Sequence, residues 1–179
     1  MKLIVVRHGE TNYNKKNLIN SKPTEKVYLT PKGVSQAQEV ADKLKEESID
    51  IIIVSELYRS EQTAAIINNY HLRPMFIDER INDHKIGLEG EPITKYYDLI
   101  KDFPDWKTAK LQGGESYLEM KQRVFEFLKD LERKKQFKTV LVVTHLAIVR
   151  LIKSYFEKLS DEEIINHDVK NCEMVVFQT

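Results

Sequence analysis

Cysteine occurs once in these 179 residues, as Cys172. An intrachain disulfide is thereby excluded, and so is a zinc site built on several cysteines. Glycine (6) and proline (5) are scarce, which excludes collagen-like and low-complexity chains. An excess of one charge is also missing: 28 Lys and Arg stand against 28 Asp and Glu, for a formal net charge of +0. Nucleic-acid binders usually carry a basic excess, so no nucleic-acid partner is expected. No apolar run exceeds four residues. That leaves neither a membrane-spanning helix nor a signal-peptide core. Met1-Lys2-Leu3-Ile4 leads straight into a strand-like run, so no targeting extension is expected, and the expected compartment is the cytoplasm.

What remains has the composition of an ordinary soluble domain, with 41% hydrophobic and 31% charged residues. A chain of this length is expected to form one domain, residues 1–179, burying roughly 70% of its unfolded surface.

Four-residue apolar runs recur: Leu3–Val6, Ile51–Val54, Val140–Val143 and Met174–Phe177. Each fits a buried strand, and Pro74–Ile77 makes a weaker one. Helices are expected between them. Thr30-Pro31 has the form of an N-cap followed by proline at the first helical position, opening a helix to about Glu47. Val34, Ala37, Val40, Ala41 and Leu44 fall on its apolar face. Further helices are expected over Arg59–Tyr70, Ser116–Lys135 and from His145 to about Tyr155. Residues 10–29 and 78–92 read as loops, and 92–112 as short helices carrying Tyr96, Tyr97, Phe103 and Trp106. Strands alternating with helices give an α/β fold: a mostly parallel central sheet, helices on both faces, and a small helical cap at about 85–112.

In such sheets ligands bind beyond the carboxyl ends of the strands. The polar residues there are Arg7, His8, Gly9, Glu10 and Thr11 after the first strand, Ser55 and Arg59 after the second, Asp83 and His84 after the third, and Thr144 and His145 after the fourth. Two guanidiniums suit an anion, because each offers a rigid fork of donors. A neutral imidazole among them can act as a nucleophile. A carboxylate can protonate a departing alkoxide. A helix opening after His145 adds free backbone N–H groups, which also favour an anion. Together these groups suit phosphoryl transfer without a metal.

The same residues resemble the histidine phosphatase superfamily, in the branch that includes cofactor-dependent phosphoglycerate mutases. Arg7-His8-Gly9-Glu10-Thr11 matches the family signature, and Asn14 matches the asparagine that follows it. Leu29-Thr30-Pro31-Lys32-Gly33 with Gln36-Ala37 matches a second segment. Ser55-Glu56-Leu57-Tyr58-Arg59-Ser60 with Gln62-Thr63-Ala64 matches a third. Arg80-Ile81-Asn82-Asp83 and Gly87-Leu88-Glu89-Gly90, Gly114-Glu115-Ser116, and Val143-Thr144-His145 complete the series. The match spans nearly the whole chain, in order.

The resemblance implies a role for each site residue. His8 is the nucleophile and becomes a phosphohistidine. Arg7 and Arg59 clamp the phosphoryl oxygens, helped by Asn14. His145 binds the phosphoryl group and stabilises the transition state. Asp83 stands where the family usually has a glutamate as proton donor, one methylene longer, and His84 next to it is the alternative donor. Leu146 replaces the usual glycine after the second histidine, and its backbone N–H is placed against phosphate. Residues 15–28 lack the family's usual glycine and aspartate. No metal and no cofactor are implied, and the partner is a small phosphorylated substrate.

Each motif residue also has a plainer reading. Alone, Arg7-His8-Gly9 is a solvated strand end, Asp83 a loop carboxylate, Asn14 a turn-former and Glu10 a neighbour of the pocket. His71 and His167 lack partners and read as surface imidazoles. Cys172 reads as a small buried hydrophobe, and Tyr96, Tyr97 and Trp106 as packing within the cap. Four functions follow from the rim residues. A phosphomonoesterase leads. A mutase ranks below it, because the mutases are longer and hold a second acidic group with arginines. Between Arg80 and Arg123 this chain has only lysines, such as Lys85, Lys95, Lys101, Lys107 and Lys110. A non-catalytic phospho-ligand module sits badly with an intact Arg7, His8, Arg59 and His145. A metallohydrolase using His8, Asp83, His84 and His145 comes last, since these lack local metal-ligand spacing. Substrate and oligomeric state are not specified at this level.

Overall fold

The four-residue apolar runs become strands of one sheet. The computed structural model describes residues 1–134 and 136–178. The strands are β1 (Lys2–Arg7), β2 (Ile51–Val54), β3 (Met75–Ile77), β4 (Thr139–Thr144) and β5 (Met174–Gln178), in the order β3-β2-β4-β1-β5. The first four run parallel, and β5 pairs antiparallel with β1.

Successive residues of a strand face opposite sides of its sheet. Leu3, Val5, Val140 and Val142 pack on one side with α5 (Tyr117–Arg133) and α6 (Leu146–Glu157). Ile4, Val6, Leu141 and Val143 pack on the other with α2 (Pro31–Leu44) and α3 (Tyr58–Asn68). Both faces are covered, so these strands are apolar at every inner position. Helix starts follow their caps. Thr30 accepts the Gly33 N–H at 3.0 Å ahead of α2. Ser116 and Glu119 form a reciprocal capping box ahead of α5.

Several expectations need correcting. Residues 10–29 are not all loop: α1 (Asn12–Lys16) opens at Thr11, whose hydroxyl accepts the Asn14 N–H while Asn14 Oδ1 accepts the Thr11 N–H. No residue of α1 is buried, so it leaves no apolar period to detect. The buried stripe of α2 is Gly33, Ala37, Val40, Ala41 and Leu44. Val34 lies one position off it and is 44% exposed, and the helix ends at Leu44 rather than Glu47. Residues 78–92 contain a 3-10 turn, Glu79–Ile81, started by the Asp78 side chain. Only α4 (Ile93–Ile100) is helical within 92–112. A short α7 (Asp161–Ile165), capped by Ser160, escapes any periodic signal because it is barely one turn long. The helix expected to reach Lys135 ends at Arg133, and Lys135 lies outside the described residues.

One close approach fixes the chain after β1. A Cβ on Gly9 would lie 2.5 Å from the Gly33 carbonyl oxygen, and one on Gly33 would lie 2.1 Å from that of Glu10. Glycine at both positions lets the end of β1 rest against the first turn of α2. Glu10 secures the contact: its N–H donates to Gln36 Oε1 at 2.9 Å, and its carboxylate accepts from Thr30 and Lys32. Glu10 therefore ties the loop down rather than facing the pocket.

Candidate active site

Strand register brings the two histidines together. Arg7 of β1 pairs with Thr144 of β4, and the next residue on each strand is histidine. His8 and His145 leave the sheet side by side, with ring centroids 5.2 Å apart, and the His8 N–H donates to the Thr144 carbonyl at 2.8 Å. β4 lies between β1 and β2, so the chain's path divides here, at a switch point of the kind where α/β sheets bind ligands. The pairing of Val54 with Val143 adds Ser55 to the same edge.

His8 is 2% exposed. Its Nδ1 is 2.8 Å from the Gly9 carbonyl, and Arg59 Nε donates to its Nε2 at 3.1 Å. A guanidinium cannot accept and a carbonyl cannot donate, so the proton of neutral His8 sits on Nδ1 and the lone pair on Nε2. Burial pushes the His8 imidazole well below its ordinary range, and the Arg59 and Arg7 charges push it the same way. The ring is therefore neutral, with the lone pair of Nε2 aimed among cations.

Arg59, 4% exposed at the first turn of α3, is the hub. Besides His8, it donates from Nη1 to Asn20 Oδ1, and Nη2 donates to the Asn20 carbonyl and to Asp83 Oδ2, both at 3.0 Å. Arg7 is anchored through Nη1 to the Val169 carbonyl at 2.6 Å. Its buried Nε has no hydrogen-bond partner among the described residues. Asn14 uses its amide oxygen for the α1 cap and for Asn171 Nδ2 at 3.3 Å. Asn171 Nδ2 also donates to the His8 carbonyl at 3.0 Å.

His145 is completely buried, and burial, Arg59 and His8 in that order hold it well below the ordinary range of histidine. Its Nε2 meets Ser55 Oγ at 2.8 Å and Ser60 Oγ at 3.3 Å. Its Nδ1 has no hydrogen-bond partner among the described residues and lies 3.7 Å from Asp83 Oδ2. The shorter aspartate thus still reaches the centre. Its loop is held there by Arg123, which donates to the carbonyls of Arg80 and Asp83 and pairs with Glu115. The His84 ring turns to the Glu115 carbonyl at 3.0 Å and packs edge-on to Tyr96.

These groups open onto a cavity of about 390 Å³. Arg7, His8, Asn14, Arg59, Asp83 and Leu146 all line it, and His145 lies against His8, so the seven residues singled out in the sequence converge. Leu146 is the first residue of α6, whose N-cap His145 makes no side-chain cap bond. The Leu146 N–H and the other free N–H groups of that turn carry the positive end of the helix. No group of three His, Cys, Asp or Glu residues is arranged to hold a metal among the described residues.

The remaining residues sort differently. Cys172 is buried, its thiol pushed up to about 12 by burial, in keeping with a packing role. His71 and His167 are half-buried rather than fully at the surface, and His71 Nε2 is enclosed without a partner among the described residues. Tyr96 is buried against His84, Trp106 packs on Tyr117 beside the main core, and Tyr97 is 57% exposed at the cavity wall. Sequence reasoning missed Asn20, Asn171 and Arg150, all in the cavity lining. Arg150 had a signal: it stands four residues after Leu146, on the same face of a helix that starts at the site. Asn20 and Asn171 sit outside regular helices and strands and had none.

Comparison with known proteins agrees with the geometry. Residues 3–179 match the model of the histidine phosphatase superfamily, branch 1. An adenosylcobalamin/alpha-ribazole phosphatase of Escherichia coli strain K12 is 29% identical, covering 85% of this chain and 77% of the relative. A 2,3-bisphosphoglycerate-dependent phosphoglycerate mutase of Cytophaga hutchinsonii is 31% identical, covering 93% and 82%. The crystal structure of the alpha-ribazole phosphatase from Shigella flexneri superposes with a TM-score of 0.87 over 98% of this chain and 89% of that one, at 24% identity. With a family match over nearly its whole length, a sheet of this order and two histidines at adjoining strand ends, the chain belongs to the histidine phosphatase superfamily.

Proposed function

We propose that this phosphatase hydrolyses small phosphomonoesters through a phosphohistidine on His8, with no metal taking part. The observation that carries this reading is the Arg59 Nε to His8 Nε2 bond, because it fixes the nucleophile's lone pair beside a cation that can follow the phosphoryl group. In the first step His8 Nε2 bonds to phosphorus as the ester P–O bond breaks. Arg59 and Arg7 share the charge of the non-bridging oxygens, with the Asn14 amide and the first turn of α6. The incoming phosphoryl group takes Arg59 donors from Asp83, and the carboxyl so released protonates the leaving oxygen. It carries the proton kept from the water of the preceding turnover or, in the first, taken from solvent. In the second step water attacks phosphorus, the N–P bond breaks, and Asp83 receives the water's proton. His145 Nδ1 faces the transferring group throughout.

Residues 85–112 act as the cap that selects the leaving group, with Ile93, Tyr96 and Tyr97 on the cavity wall. One observation favours a second reading, transfer to another hydroxyl rather than to water. Arg150 also lines the cavity, anchored by Nε to the His167 carbonyl at 2.6 Å, and can hold a second anionic group on the substrate. The test is a panel of phosphomonoesters assayed in EDTA, with phosphoglycerate isomerisation followed in parallel. Hydrolysis that survives chelation supports the proposal. Isomerisation without net phosphate release favours the mutase, and activity lost to EDTA and restored by a divalent cation contradicts the metal-free mechanism. No helix among the described residues is long and apolar enough to cross a membrane, in keeping with our proposal of a cytoplasmic enzyme.

A further inference from the structure

We infer that Asn82 is a positioning residue for His145: acting through Ser55, it fixes the ring proton on Nε2 and leaves Nδ1 bare toward the transferring phosphoryl group. This rests on the function proposed above for the direction Nδ1 faces, but not for the proton's location, which follows from the hydrogen bonds alone.

The Asn82 amide has only one workable orientation. Its Nδ2 donates to Glu56 Oε1 at 2.6 Å, and a carboxylate can only accept. Its Oδ1 accepts the Glu56 backbone N–H at 3.1 Å, and an N–H can only donate. The same Oδ1 lies 2.8 Å from Ser55 Oγ, so the single hydroxyl proton of Ser55 must lie on that line. The Leu57 N–H donates to Ser55 Oγ at 3.3 Å and supplies no alternative acceptor. Ser55 Oγ, with its proton committed, meets His145 Nε2 at 2.8 Å as an acceptor. The proton in that contact therefore belongs to the ring, and Ser60 Oγ at 3.3 Å shares it.

The other ring nitrogen is then a lone pair in the neutral form. It is buried, has no hydrogen-bond partner among the described residues, and lies 3.7 Å from Asp83 Oδ2. The charged and titratable groups around the ring are Arg7 on β1, His8 just beyond it, Arg59 on α3, Asp83 and, on α5, Arg123. A bare Nδ1 cannot donate to a phosphoryl oxygen; it can only take up a proton. A phosphate monoester that arrives as the monoanion carries one on oxygen. Without substrate, burial and the neighbouring cations hold the ring neutral. A phosphoryl dianion against Nδ1 opposes those cations, so the substrate's proton passes to Nδ1. The ester is left a dianion and the ring an imidazolium whose Nδ1–H donates back to the phosphoryl oxygen. With the opposite tautomer the neutral ring would donate from Nδ1 and take no proton from the substrate. The Asn82–Ser55 pair thus decides whether His145 meets the phosphoryl group as a cation or as a neutral donor.

The test is the tautomer of His145 in the full-length protein labelled with 15N in its imidazoles, its resonances assigned by their loss in His145→Gln. The expected spectrum without ligand has a protonated, pyrrole-like Nε2 and a pyridine-like Nδ1. In Asn82→Leu the Ser55 hydroxyl is free to donate to Nε2, so the two signals should exchange character and kcat should fall about tenfold. Asn82→Asp combined with Glu56→Gln rebuilds the chain with the outer donor reversed and should restore both. A wild-type proton on Nδ1, or an unchanged tautomer in Asn82→Leu, overturns the proposal. Should Asn82→Leu not fold, Ser55→Ala supplies the same readout: loss of the acceptor should weaken the preference for Nε2, and an unchanged preference counts against the relay. Because the tautomer is read without substrate, a wild-type protein with the expected spectrum and no phosphatase activity would remove the proposed function while leaving the relay in place.

Discussion

Arg59 donates its Nε–H to Nε2 of His8 at 3.1 Å, so the group that shields the proposed nucleophile is also the group best placed to receive a phosphoryl oxygen. The other arms of that guanidinium hold Asn20 and Asp83. A lysine has no planar fork to span three partners. Arg59→Lys should therefore lower kcat by about 10²–10³-fold, the usual worth of one preorganised donor to a developing anion. Steady-state kinetics on a good substrate checks this, and a loss under about tenfold would mean that charge alone, not the fork, is what Arg59 supplies.

Asp83 lies between Arg59 and His145, within reach of both. A general acid matters in proportion to how poor the leaving group is. Asp83→Asn should slow alkyl phosphates by roughly 10²–10⁴-fold and p-nitrophenyl phosphate far less. Equal losses on both substrates would make Asp83 a binding residue. No loss on either would move the proton to another donor, with His84→Ala the next variant.

Much of this was legible in the chain. The strands were visible because each inner position is apolar, and the helix starts because Thr30 and Ser116 cap their own first turns. Strand register then made the convergence of His8 and His145 a consequence of where each strand ends. What stayed hidden depends on contacts between distant segments. Asn20 meets Arg59 across 39 residues and Asn171 meets the His8 carbonyl across 163. Nothing local distinguishes either from a turn asparagine. The short α1 and α7 were hidden for a different reason: they rest on reciprocal caps rather than on an amphipathic period.

Burial lowers His8 and His145 well below the ordinary value of 6.5, and lowers His84 and His71 in the same direction. In the unfolded chain these rings protonate near 6.5; in the folded protein they resist. The folded state is therefore most favoured above pH 6.5, and stability is lost as pH falls from there toward the folded values. The two fully buried rings, His8 and His145, each contribute about 1.4 kcal/mol per pH unit within their windows. Urea midpoints should drop clearly between pH 7 and pH 5.5, and His145→Gln should flatten the decline. A flat wild-type profile would mean that these rings are not held neutral.

The contact between Gly9 and Gly33 leaves no space for a methyl group. Gly9→Ala would put a Cβ 2.5 Å from a backbone oxygen, so the strand end or α2 must shift. We expect a loss of about 1–3 kcal/mol in urea unfolding. Activity should fall as well, because His8 is the preceding residue. An unchanged midpoint would show that the two segments can part without cost.

In the proposed mechanism every phosphoryl group passes through His8. Rapid acid-free quenching of the enzyme with a radiolabelled phosphomonoester, followed by peptide mapping, tests it directly. The expected result is a label that is stable in base, labile in acid, carried by the peptide containing His8, and absent from His8→Ala protein that is still folded. Turnover by wild-type enzyme with no trapped label, together with near-normal kcat in His8→Ala, would contradict it.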